Sequence, residues 1–143
     1  MFLLDTNVLS ELRRPDRADV NVRAWASGTP AELYAISVIT VMELERGTLL
    51  VERRDPLQGG VLRRWLEQEI LAQLAGRILA IDTAIARRCA ALHVPDPRPE
   101  RDALIAATAL THGLTVVTRN VGDFEPMGVA LLDPWAGSGS SMP

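Results

Sequence analysis

Lysine is absent from this 143-residue sequence, and all 15 of its basic side chains are arginine. That excludes three mechanisms. A phosphate-binding loop needs a lysine on the phosphates, a Schiff-base enzyme needs a lysine amine, and a receiver domain sets a lysine beside its acids. Cysteine is nearly absent as well. Cys89 stands alone, which rules out a disulfide framework and a thiolate zinc cluster and leads us to expect a reducing compartment. Its ordinary role is that of a small buried helix residue. Aromatic residues make up 4% of the chain, so little base stacking is implied, and Trp25, Trp65 and Trp135 are expected to serve packing. A basic coat is missing too: the formal net charge is −3, which argues against general adhesion to nucleic acid and leaves room for a local basic patch. No charged-then-apolar leader precedes Phe2, and no apolar run approaches the ~20 residues of a membrane span. The expected location is the cytoplasm, with no membrane involvement.

What remains is ample material for one core. Hydrophobic residues make up 48% of a chain whose length fits a single domain. Short apolar runs at Phe2 to Leu4, Leu33 to Ile36, Ile78 to Ile81, Leu114 to Val117 and Ala130 to Leu132 read as strands, and amphipathic stretches lie between them. This alternation predicts an α/β fold with a mostly parallel sheet, covered on both faces. Gly28, the stretch from Arg53 to Gly60, and the proline-rich "HVPDPRPERD" punctuate the helices, and Gly113 is placed to stop the helix that starts near Glu100. There is no internal repeat. Residues 1–135 are expected to form the domain and 136–143 a disordered tail.

In an open parallel sheet, ligands bind beyond the carboxyl ends of the strands. Four acids fall on that edge. Asp5 follows the first strand directly, in "FLLDTNVLSEL". Glu43 lies in the opening turns of the helix after the second strand and shares a face with Ile39, Gly47 and Leu50. Glu45 competes for the same role, and periodicity does not separate the two. Asp102 opens the face of Ile105, Ala106 and Ala109 on a helix whose N-terminus points to the same edge. Asp123 comes just past the fourth strand, after Thr118 and Asn120.

Each acid also has a structural use. Asp5 suits an N-cap, Asp102 a helix dipole, Glu43 a solvated helix face and Asp123 a turn. Asp82, which also follows a strand, is read as a cap for the helix after it. Thr6, Asn7, Thr118 and Asn120 can orient the carboxylates or serve local turns. His93 and His112 lie near helix ends, where a cation suits the dipole, and the paired arginines are expected on solvated faces, some of them available to RNA phosphates. The coincidence of four acids on one edge favours another use. Packed carboxylates repel unless a cation intervenes, and all-oxygen ligation suits hard ions such as Mg²⁺ or Mn²⁺. Such a site favours phosphodiester chemistry.

The ordered set "LLDTNVLSEL", "SVITVMELERG" and "RDALIAATALTHGLTVVTRNVGDF" closely resembles PIN-domain ribonucleases, specifically VapC-type toxins of the FitB-like branch. The resemblance runs from Met1 to about Trp135. It implies a three-layer α/β/α sandwich around a five-stranded parallel sheet and a Mg²⁺- or Mn²⁺-dependent endoribonuclease. The family's acidic positions fall on Asp5, Glu43, Asp102 and Asp123, which favours Glu43 over Glu45, and its polar position falls on Thr118. Asp5 and Asp102 would be the firmest metal ligands. The implied partners are an RNA substrate, a cognate antitoxin of the VapB or FitA kind with a DNA-binding part, and a second copy in a homodimer. Two other functions stay open at this point. An aspartyl phosphotransferase would want a second aspartate where Asn7 stands, and a non-enzymatic binding module would use the acids for structure.

Overall fold

A computed structural model describes residues 1–137. The strands β1 (Phe2–Leu4), β2 (Tyr34–Ser37), β3 (Ile78–Leu79), β4 (Thr115–Val117) and β5 (Leu131–Leu132) form one parallel sheet in the order β3-β2-β1-β4-β5. They are short because each apolar run ends at a polar residue that starts a helix or turn. Alternation along each strand sorts the side chains to two faces. Leu3, Ala35 and Val116 join one core cluster, whereas Leu4, Ile36 and Val117 join the other.

Helices cover both faces, which makes the three-layer α/β/α sandwich that the resemblance implied. On the first face α5 (Thr83–Leu92) and α6 (Glu100–His112) supply Ile85, Cys89 and Ile105, and α7 (Val121–Phe124) supplies Phe124. Ala103, Ala106, Ala107 and Ala109 are completely buried, so α6 lies close to the sheet. Gly113 ends it at φ +66°, a left-handed conformation that glycine adopts without a Cβ clash. On the second face α1 (Thr6–Leu12), α3 (Val38–Arg54) and a π-helical turn at Trp65–Leu71 supply Val8, Leu44 and Leu66. The helix α2 (Val20–Gly28) presents Trp25, which meets Phe2 edge-on at 5.5 Å and stacks on Tyr34 at 5.6 Å. Trp65 and Trp135 pack against the same cluster.

The break after Arg54 is made by Asp55, whose carboxylate accepts the Gln58 N–H at 3.2 Å, and by Pro56 in the first turn of α4 (Pro56–Arg64). Gly59 and Gly60 lie inside that helix, not in the break. Asp82 caps α5 as expected, accepting the Ile85 N–H at 2.9 Å. Ala136 closes a short 3₁₀ turn begun at Pro134, and Gly137 lies beside Asn21. The other residues of the expected tail, 138–143, lie outside the described residues. Among those described, no helix is long and apolar enough to cross a membrane.

From β1 the chain crosses to β2 and β3 on one side, then returns past β1 to β4 and β5. Strand order therefore reverses between β1 and β4. Ligands bind in open α/β sheets at such a reversal, at the carboxyl end.

Candidate active site

The register brings the first pair of site residues together. Leu4 pairs with Val117, and the Asp5 N–H continues the ladder by donating to the Val117 carbonyl at 2.9 Å. Asp5 and Thr118 thus leave adjacent strands side by side, and both are completely buried. Thr118 Oγ1 donates to Asp5 Oδ2 at 2.8 Å and accepts the Asn120 N–H at 3.0 Å. Asn7 Nδ2 reaches Asp5 Oδ2 at 3.5 Å and Thr118 Oγ1 at 3.4 Å. Asn120 acts here through its backbone.

Asp5 is also the N-cap of α1, its Oδ1 accepting the Thr6 N–H at 2.8 Å. One carboxylate therefore starts the helix and faces the site. Thr6 is left to do something else: its hydroxyl donates to Glu43 Oε1 at 2.5 Å. Glu43 comes from α3, whose start is fixed by Ser37 accepting the Ile39 N–H at 3.0 Å. Glu45 turns away and pairs with Arg63 of α4 at 2.7 Å, so the structure separates the two acids that periodicity could not. Arg63 holds the Glu45 carboxyl below the ordinary carboxylate value.

A residue that sequence reasoning missed sits at the centre. Arg101, in the first turn of α6, points its guanidinium into the acids. Its Nε donates to Glu43 Oε2, one terminal nitrogen to Asp5 Oδ1 and the other to Asp102 Oδ1. Three carboxylates from three elements thus share one planar cation. Burial works against the Arg101 charge, but the hydrogen bond to Glu43 and the charges of Asp5 and Glu43 outweigh it and raise its pKa. The signal in sequence was its place directly before Asp102, in "ERDALIA".

Asp102 is 8% exposed. Burial pushes its carboxyl above the ordinary value; Arg101 pulls it down, and the charges of Asp5 and Asp123 push it further up. Asp123 sits exposed on α7, close enough for that charge to be felt, but it is not among the three ion pairs of Arg101. Of the four predicted acids, three surround the Arg101 guanidinium, each at a different nitrogen, and the fourth stands at the rim.

In its chemistry the donor set fits a hard divalent ion, since it offers carboxylate oxygens from separate elements; with the Arg101 guanidinium among them, no three of these acids bring ligand atoms within 4.8 Å of one another. Among the described residues, the group whose ligand atoms do lie that close is Cys89, His93 and Glu100, but its thiol and imidazole suit a softer ion. His93 Nδ1 accepts the Arg98 N–H at 3.0 Å, which leaves the proton of a neutral ring on Nε2. That nitrogen is hydrogen-bonded with Cys89 Sγ at 3.8 Å, and a Glu100 carboxylate oxygen lies 3.3 Å from it. Ordinary hydrogen bonding accounts for the group, and a metal would have to break the bond at Nδ1 first.

A parallel sandwich with carboxylates gathered where its strand order reverses defines a class, and the chain belongs to it: residues 2–126 match the PIN domain, which makes this a PIN-domain protein. Over 141 residues it is 41% identical to Toxin FitB of Neisseria gonorrhoeae, a match covering 94% of this chain and 99% of that protein. It is 38% identical over 145 residues to VapC ribonuclease Y4jK of Sinorhizobium fredii, with 94% and 98% covered. The crystal structure of FitAcB from Neisseria gonorrhoeae matches it with a TM-score of 0.86 at 40% identity, covering 94% of this chain and 99% of that one.

Proposed function

We propose that this protein is a divalent-metal-dependent endoribonuclease that acts as the toxin of a toxin–antitoxin pair. The observation that carries the reading is the convergence of Asp5, Glu43 and Asp102 on a single cationic centre at the strand reversal. The similarity to Toxin FitB and to VapC ribonuclease Y4jK supports the biological assignment.

Asp5 and Asp102 would hold the ion, Mg²⁺ or Mn²⁺, and Glu43 and Asp123 would complete its surroundings. Bound there, the ion supplies positive charge for the phosphoryl oxygens and an activated water for attack on the phosphodiester. The chain's own residues prepare the geometry. Thr118 and the Thr6 N–H hold the two Asp5 oxygens, so the carboxylate does not turn. The Thr6 hydroxyl fixes Glu43 in the same way. Burial of Asp5 and Asp102 excludes water that would compete for the ion.

Beside the acids, a groove of ≈ 280 Å³ runs past Thr6, Glu43, Leu44 and Val51 to Trp65. Its apolar floor suits an antitoxin segment that would lie across the site and block it. We extend the same reading to a homodimer and a cytoplasmic location.

The test is cleavage of RNA by the wild type and by Asp5→Asn, each with Mg²⁺ or Mn²⁺ and with antitoxin verified absent. Cleavage by the wild type alone is the expected result. Equal activity in both proteins, or none in either, would sink the assignment.

A further inference from the structure

The guanidinium of Arg101 stands on the oxygens that a metal would need, and this bears on how the ion is taken up. Each of its three nitrogen positions is directed to a different carboxylate, on β1's end, α3 and α6. Those are also the residues assigned to the ion above, so the inference rests on that reading. Two cations cannot share one set of oxygens at contact distance.

We propose that Arg101 is a built-in competitor of the divalent ion, a positioning residue that keeps the carboxylates together and must swing out before metal can bind. Charge balance favours the exchange. Three carboxylates and one guanidinium leave two negative charges uncompensated, with Asp123 adding another nearby. A divalent ion compensates one charge more. Geometry permits it, because the Arg101 side chain is 31% exposed whereas that of Asp5 is completely buried. The arginine has a route to solvent and a long flexible stem; the aspartate has neither. Nor can Arg101 leave by losing its proton, since a guanidinium stays charged at any working pH. The exchange is therefore conformational, and it reduces the apparent metal affinity by the fraction of molecules in which the guanidinium occupies the acids.

The experiment uses the full chain. Calorimetric titration with Mn²⁺ compares the wild type, Arg101→Gln and Asp5→Asn, with folding checked by circular dichroism. Removing the competitor is expected to tighten Mn²⁺ binding by about tenfold or more, while Asp5→Asn weakens it. A second measurement follows the wild type itself. In the nitrogen-labelled wild type, the Arg101 Nε–Hε resonance, assigned by its loss in Arg101→Lys, is followed through a Mg²⁺ titration. It is expected to move to the position of solvent-exposed arginines as the site fills. Unchanged or weaker Mn²⁺ affinity in folded Arg101→Gln, or a resonance that stays put at Mg²⁺ saturation, overturns the proposal alone. Absence of binding in both wild type and Arg101→Gln, or wild-type affinity in Asp5→Asn, overturns the metal reading beneath it.

Discussion

Thr118 has no charge and no exposed surface, yet it holds one oxygen of Asp5 at 2.8 Å inside the sheet. Thr118→Val keeps the shape and removes the donor. Because partners that orient a ligand usually contribute 10- to 100-fold, we expect metal affinity and RNA cleavage to fall by about that factor, with Thr118→Ser closer to the wild type in both assays. For Asp102 the raised pKa fixes the sign of a pH effect. A carboxyl that binds its proton more tightly in the folded state is stabilising below the unfolded value, and that contribution is lost as pH rises through the folded one. In chelator at neutral pH, Asp102→Asn should therefore melt no lower than the wild type, and its advantage should shrink as the pH is taken down toward the ordinary carboxylate value. Thermal melts across that range check it. Cys89→Ser should leave Mn²⁺ titrations unchanged, since the His93 ring is already held by the Arg98 N–H at Nδ1 and contacts Cys89 at Nε2. At this scale strand ends and helix starts placed Asp5 and Asp102 at one edge by rule, whereas Glu43 was preferred to Glu45 only through the family resemblance and Asp123, expected with them, stands at the rim. The sequence was silent about Arg101, because an arginine next to an aspartate in a first turn looks like any solvated pair until three elements are docked around it.

Between elements the most specific contact is the crossing of α3 and α4. A Cβ on Gly59 would lie 2.4 Å from the Glu52 Cα, whereas one on Gly60 would meet nothing within 4 Å. The two adjacent glycines should respond with opposite signs. Gly59→Ala forces α4 off the backbone of α3 and should cost about 1–3 kcal/mol, more than the helix propensity it gains. Gly60→Ala keeps the propensity gain alone, up to about 1 kcal/mol. Urea unfolding of both variants measures the difference. Reading "QGG" as part of a break was reasonable from glycine's usual behaviour, and it missed that a helix can use glycine for close approach. The strands were legible to within a residue or two at each end, since their apolar runs have sharp polar edges. The π-helical turn at Trp65–Leu71 carries no comparable mark in its residues.

Across the whole molecule, two apolar clusters on opposite faces of the sheet hold the sandwich together, and the acids belong to neither. Chelation should therefore abolish cleavage without unfolding the protein, leaving the far-ultraviolet circular dichroism spectrum unchanged. The overall architecture was legible because alternation of strand and helix admits few topologies. The point of strand reversal, which decides where the acids gather, came from pairing that no single segment reveals. The reversal also has a meaning for synthesis. Asp5 is made well before its neighbour Thr118, which follows only after the chain has gone out to β3 and come back. A polypeptide still short of β4 has no partner strand beside β1 on that side, no Thr118 and no Asp123. The candidate site is thus completed only when the chain has crossed back over the sheet, and until then Asp5 stands without the hydroxyl that holds it.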